Sequence, residues 1–177
     1  MAGCGSYSKI EGFGFIPVTC FSQALTTFIG QNLGAKEYDR AKKGALFGTI
    51  CGIGIAEVIG IAVFFFSPYL IAAFGGDQRA IEYGIAEAHT IALFYCLLAF
   101  SHCMAAIQRG AGRSIVPMFV MMIVWCGVRV TYISIVIRII PVINVIYWAY
   151  PLTWFISSVI FLILFLKTDW IHGLEKQ

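Results

Sequence analysis

Apolar residues along the chain gather into five long runs, at residues 13–33, 44–66, 81–107, 115–137 and 142–166. Each has about 20 residues or more, the length an α-helix needs to cross the hydrocarbon core of a bilayer. Residues 88–107 and 139–166 hold no Asp, Glu, Lys or Arg. The breaks carry turn formers: Gly34-Ala35, Ser67-Pro68, Gly75-Gly76-Asp77, Gly110-Ala111-Gly112 and Pro141. Strands do not fit, because open sheet edges cannot face lipid and the alternation of a barrel is missing. The pattern predicts an all-α polytopic membrane protein with five transmembrane helices.

Composition removes the alternatives. Of 177 residues, 60% are hydrophobic and 12% charged, about half the charge of an ordinary soluble domain. Mean hydropathy is +0.87. Too few polar side chains remain to cover a water-soluble globule, which excludes a soluble enzyme and a nucleic-acid binder. An aromatic content of 15% excludes disorder. The net charge of +3 implies no polyanionic partner. Cys4, Cys20, Cys51, Cys96, Cys103 and Cys126 include no C-x-x-C pair, so buried small hydrophobes are the better reading than metal ligands or a disulfide framework.

The distribution of positive charge predicts an orientation. Lys36, Arg40, Lys42 and Lys43 between the first two runs, Arg109 and Arg113 after the third, and Lys167 and Lys176 in the tail all fall on one side. Lys9, Arg79 and Arg138 fall on the other, and Arg129 lies inside the fourth run. The expectation is therefore a cytoplasmic loop at 34–43, a cytoplasmic C-terminus and an extracellular N-terminus in the plasma membrane. Residues 1–14 lack the pattern of a signal peptide. An odd number of helices starting outside suggests a preceding segment, so the chain reads as a fragment or one part of a split protein. The basic loop is expected to lie among anionic membrane lipids, each Lys or Arg gaining about 1 kcal/mol.

Four constellations carry candidate chemistry. In the second helix Gly44, Gly48, Gly52, Ala56 and Gly60 recur at every fourth position, a face that lets another helix approach closely. Its reading is either static packing or a sliding contact. In the first helix Thr19, Ser22, Gln23, Thr26, Thr27, Gln31 and Asn32 follow Pro17. Ser22, Gln23, Thr26 and Thr27 are substrate or cavity candidates; hydroxyls bonded to neighbouring helices are the alternative. Ionisable groups lie within the runs at Glu57, Glu87, His89, His102 and Arg129. Glu57 lies about 20 Å along the helix from Gly44, where a charge costs roughly 3 kcal/mol or more unless paired or hydrated. Glu57 and Glu87 are the ion-coupling candidates, with an ion pair between Glu57 and Arg129 as the structural alternative for Glu57 and simple hydration as that for Glu87. His102 is expected to make a helix–helix hydrogen bond. No nucleophile–base pair or metal-ligand spacing is apparent, which argues against an enzyme.

The run from Ser22 to Ala35, containing Gly30-Gln31-Asn32-Leu33-Gly34-Ala35, and the following Asp39-Arg40-Ala41-Lys42-Lys43-Gly44 resemble the multidrug and toxic compound extrusion (MATE) family. Gln108-Arg109-Gly110-Ala111-Gly112-Arg113 through Pro117 resembles a second motif of that family, with Arg113 where Asp is usual. The stretch around Arg129, 125–132, and that around Tyr150-Pro151, 147–154, are similar to its last two helices.

The resemblance implies twelve helices in two six-helix lobes, of which these five would be the eighth to twelfth, most of the C-terminal lobe. It implies alternating-access export of drugs or organic cations against inward Na⁺ or H⁺, with no other cofactor. The partners would be small amphipathic or cationic substrates and a missing N-terminal lobe. Gln31, His102, Arg109 and Arg129 are then structural or gating candidates. The tenth-helix acid of some members, about three turns before the Arg-Gly pair, is replaced here by the apolar Cys96-Leu97-Leu98-Ala99. The competing readings are a lipid-linked saccharide flippase of the same superfamily and a truncated chain inactive without a partner.

Overall fold

The computed structural model describes residues 2–73, 78–139, 144–168 and 170–171, with side chains from residue 7 onward and, in the last helix, from 145. The turn at Gly75-Gly76-Asp77, Pro141, the expected start of the last helix at Val142 and the tail residue Lys176 lie outside the described residues. Among them every regular element is helical: α1 (Ala2–Gly34), α2 (Tyr38–Ala73), α3 (Gln78–Ile91), α4 (Tyr95–Gly110), α5 (Ile115–Met121), α6 (Arg129–Ile139) and α7 (Asn144–Lys167). A 3₁₀ turn, Ala92–Phe94, joins α3 to α4, and a π-helical stretch, Met122–Val128, joins α5 to α6. The segments Tyr7–Gly34, Tyr38–Ala73, Gln78–Gly110, Ile115–Ile139 and Val145–Lys167 are each long and apolar enough to cross a membrane.

Two buried clusters hold these helices together. One joins Tyr7, Val18, Ala88, Leu98 and Trp154, the other Leu25, Ile29, Met104, Phe161 and Trp170. The α3–α4 segment is central: 61% of its apolar window is buried, against 6% for α5–α6. The outer surface is apolar, with Phe13, Phe47, Phe65, Ile123 and Phe155 exposed, a surface water would not tolerate and lipid does.

The glycine ladder of α2 is a packing face for two different helices. A Cβ at Gly44 would strike the Phe28 ring and one at Gly48 would come within 2.7 Å of Leu25 Cδ1, both on α1. At Gly52 it would meet Cys103 Sγ of α4 at 2.7 Å, and at Gly60 the backbone of Ala92. Gly110 occupies the crossing of α4 over α1, where an added Cβ would lie 2.7 Å from the Thr26 carbonyl oxygen.

Three features differ from the sequence pattern. Ser67-Pro68 does not end the second helix; α2 runs on to Ala73. Pro68 cannot bond the carbonyl one turn back, but that carbonyl, Phe64 O, receives Ser67 Oγ at 3.2 Å and His89 Nε2 at 3.1 Å. The neighbouring helix thus satisfies the group that proline orphans. The loop expected at 34–43 contracts to residues 35–37, because α2 begins at Tyr38 with Asp39 in its first turn, a favourable sign at a helix N-terminus. Cysteines are also less buried than expected: Cys103 is buried, but Cys20 and Cys126 are exposed and free, on the outward sides of their helices.

The two short turns share one geometry. Glu37 N bonds Asn32 O and Lys36 N bonds Leu33 O; likewise Arg113 N bonds Gln108 O and Gly112 N bonds Arg109 O. This crossed pair of bonds needs a left-handed residue at its centre. Gly112 fills it with φ 79°, whereas the first turn uses Lys36 at φ 60°, and neither Gly34 nor Ala35. A left-handed conformation costs a side-chain-bearing residue about 1 kcal/mol, so Lys36→Gly is expected to raise stability by about that amount. Thermal unfolding of the two proteins in one detergent checks it, and a lower midpoint for Lys36→Gly would contradict the turn geometry.

Candidate functional site

The polar residues of α1 are spread around the helix instead of forming one lining. Ser22 is buried and Thr26 half-buried, while Gln23, Thr27 and Gln31 are exposed. Each hydroxyl is bonded within its own helix: Thr19 Oγ1 donates to Ile16 O, Ser22 Oγ to Thr19 O, Thr26 Oγ1 to Ser22 O and Thr27 Oγ1 to Gln23 O, all at 2.9–3.2 Å. Asn32 Nδ2 donates to Phe28 O at 2.7 Å. Hydroxyls that bond one turn back need no partner helix, so a helix of this composition remains apolar in effect.

Glu57 and Arg129 do not pair. Glu57 Oε2 accepts the backbone N–H of Cys96 at 3.2 Å. That N–H is available because the 3₁₀ turn gives the Ala92 carbonyl to Tyr95 N, one residue earlier. Gly60, on the same face of α2 as Glu57, passes directly over that Ala92 carbonyl. A carboxylate and a glycine on one face of α2 therefore clasp the interruption between α3 and α4. Glu87 is buried in α3 and not hydrated as expected, lying under the cluster that contains Ala88 and Tyr7.

The partners of His102 are aromatic. The rings of Phe15 and Trp125 stand edge-on to it at 5.0 and 5.5 Å, and its Nε2 has no hydrogen-bond partner, so the expected helix–helix hydrogen bond is replaced by ring packing. Hydrogen bonding between helices falls instead to serines the sequence did not single out. Ser101 of α4 meets Ser157 at 2.9 Å and Ser158 at 3.0 Å on α7, and Ser158 Oγ donates to Leu97 O at 3.1 Å. Arg109 is half-buried at the end of α4, beside the buried Gln108.

Arg129 is where charge, aromatic rings and open space converge. It follows the π-helical stretch, a distortion frequent at functional sites. Nη2 donates to Thr153 Oγ1 at 2.8 Å, and the guanidinium lies over the Tyr150 ring at 4.2 Å and the Trp125 ring at 5.8 Å. A cavity of about 320 Å³ opens beside it, lined by Ser8, Glu11, Gly12, Phe15, Trp125, Arg129, Tyr150 and Trp154. Glu11, Tyr150 and Trp154 were missed as site residues. Glu11 precedes the first apolar run; it enters the site because α1 starts well before Phe13, at Ala2. The signal available was the distance of one to two turns between Glu11 and Pro17, within a single helix.

A sequence model of the MatE family matches residues 1–133. Over 132 residues, 71% of the chain, the sequence is 28% identical to the probable multidrug resistance protein NorM of Thermotoga maritima. The matched region spans 28% of the length of that relative.

Proposed function

The chain belongs to the MatE family, and from that membership we propose that it forms part of a secondary transporter that exports drugs or organic cations in exchange for Na⁺ or H⁺. The family match over most of the chain is the observation that carries this reading. In it the five helices are the eighth to twelfth of two six-helix lobes, and an N-terminal lobe completes the central cavity. The charge distribution places the turns around Lys36 and Gly112 and the C-terminus in the cytoplasm, and the start of α1 outside the plasma membrane.

The coupling ion is proposed to act at Glu57 and Glu87. Glu57 sits at an interrupted membrane helix, the kind of place where transporters bind ions because backbone groups are released there. Protonation or Na⁺ binding would change the charge that holds the Cys96 N–H, and so bias the α3–α4 interruption between two arrangements. Gln31, His102 and Arg109 lie along the α1–α4 contact and are proposed to tune that motion.

Vesicles carrying the protein, as its full reading frame encodes it, are expected to release preloaded ethidium faster under an imposed inward Na⁺ or H⁺ gradient than without one. Release that ignores both gradients would refute exchange. Release dependent on one gradient alone would identify the coupling ion.

A further inference from the structure

The cavity beside Arg129 contains more binding capacity than the protein itself uses. Trp154 is 2% exposed and its Nε1 has no acceptor; Arg129 Nε likewise has none. Buried donors are nearly always satisfied, so two on one cavity point to an acceptor supplied from outside. The geometry keeps them available. Tyr150 occupies the face of the guanidinium and Thr153 takes Nη2. The remaining N–H groups project in the guanidinium plane, where a carboxylate binds best.

Glu11 supplies the opposite charge. Its carboxylate lines the same cavity and lies within electrostatic reach of Arg129, while the guanidinium spends its printed hydrogen bond on Thr153. A compound carrying only an amine would satisfy Glu11 and leave both donors empty. One carrying only an acid would leave Glu11 desolvated and unpaired. The walls between these groups are the rings of Phe15, Trp125, Tyr150 and Trp154, suited to a planar aromatic body.

We propose that this cavity binds zwitterionic aromatic compounds, with the acidic group on Arg129 and Trp154 and the amine on Glu11. The proposal rests on the transport reading and names a substrate class for it, adding a requirement for an acid to the cations that the family resemblance implied. The volume admits one fused two-ring system with short polar arms.

Three probes share one ring and differ only in charge: naphthylalanine (zwitterion), naphthylethylamine (cation) and naphthylacetate (anion). Equilibrium dialysis against the full protein in lipid nanodiscs is expected to give naphthylalanine about 10-fold tighter binding than either of the others. Arg129→Gln should weaken naphthylalanine and naphthylacetate by about 10-fold and leave naphthylethylamine unchanged. Glu11→Gln should do the reverse, weakening naphthylalanine and naphthylethylamine and sparing naphthylacetate. Trp154→Phe keeps the ring and removes one donor, so a several-fold loss confined to the acid-bearing probes tests the site even where Arg129→Gln misfolds.

A cation preference, equal loss of all three probes in the folded variants, or no binding of any probe overturns the proposal. Gradient-driven ethidium release separates the two readings. Release that persists while the charge ranking fails rejects only the zwitterion site. A charge ranking that holds without gradient-dependent release rejects only the exchange mechanism.

Discussion

Gly60→Ala is expected to be the most damaging single-methyl change in the protein. The added Cβ would fall on the carbonyl oxygen of Ala92 and within 3.4 Å of Tyr95 Cβ. Backbone at a helix interruption cannot rotate away as a side-chain tip can, so α2 must separate from the α3–α4 junction. Overpacking of this kind costs about 1–3 kcal/mol and more where backbone is the obstacle. Gly48→Ala is a milder test, because its neighbour is the end of the flexible Leu25 side chain. At Gly54 nothing lies within 4 Å, and Gly54→Ala should gain up to about 1 kcal/mol from helix propensity alone. Thermal unfolding in detergent should therefore rank Gly54→Ala first, then the parent protein, Gly48→Ala and Gly60→Ala. Equal midpoints for Gly48→Ala and Gly60→Ala would mean that the α2 ladder has no rigid contact at Ala92.

That ranking separates what the one-dimensional pattern contains from what it leaves out. Spacing alone gives Gly44, Gly48, Gly52, Ala56 and Gly60 as one face, since positions four apart coincide on any helix. It cannot give the partner, which changes along the ladder from Phe28 and Leu25 on α1 to Cys103 on α4 and then to Ala92. The five apolar segments are legible for the same reason: bilayer thickness sets their length without reference to their neighbours. The interruption at Ala92–Phe94 is invisible because it lies in an unbroken apolar run with no glycine or proline. Its cause is on another helix, in Glu57 and Gly60.

Pro68 shows the converse. A proline after a serine is a turn signal on its own, but His89, 25 residues away, supplies the hydrogen bond that lets the helix continue. The site around Arg129 was half legible. Arg129 stands out as a charge in an apolar run, whereas Glu11 was assigned to the segment before the membrane and Trp154 reads as an ordinary apolar position. Only the approach of α1 to α7 brings the three to one cavity.

Glu57→Gln is expected to separate fold from coupling. The glutamine side-chain oxygen can still accept the Cys96 N–H, so the interruption between α3 and α4 keeps its clasp and thermal stability should change little. What disappears is the ability to lose and gain a charge. If Glu57 is the coupling group, ethidium release by Glu57→Gln should lose its response to the imposed gradient while ethidium binding persists. Glu57→Leu removes the acceptor as well and leaves a backbone donor unsatisfied within the membrane, at about 1–3 kcal/mol. It should therefore lower the unfolding midpoint in addition to abolishing the gradient response. Full gradient response in Glu57→Gln, together with a loss of stability in Glu57→Leu, would reduce Glu57 to a structural cap for the Cys96 N–H. The coupling role would then pass to Glu87, the other buried acid in the core of the bundle.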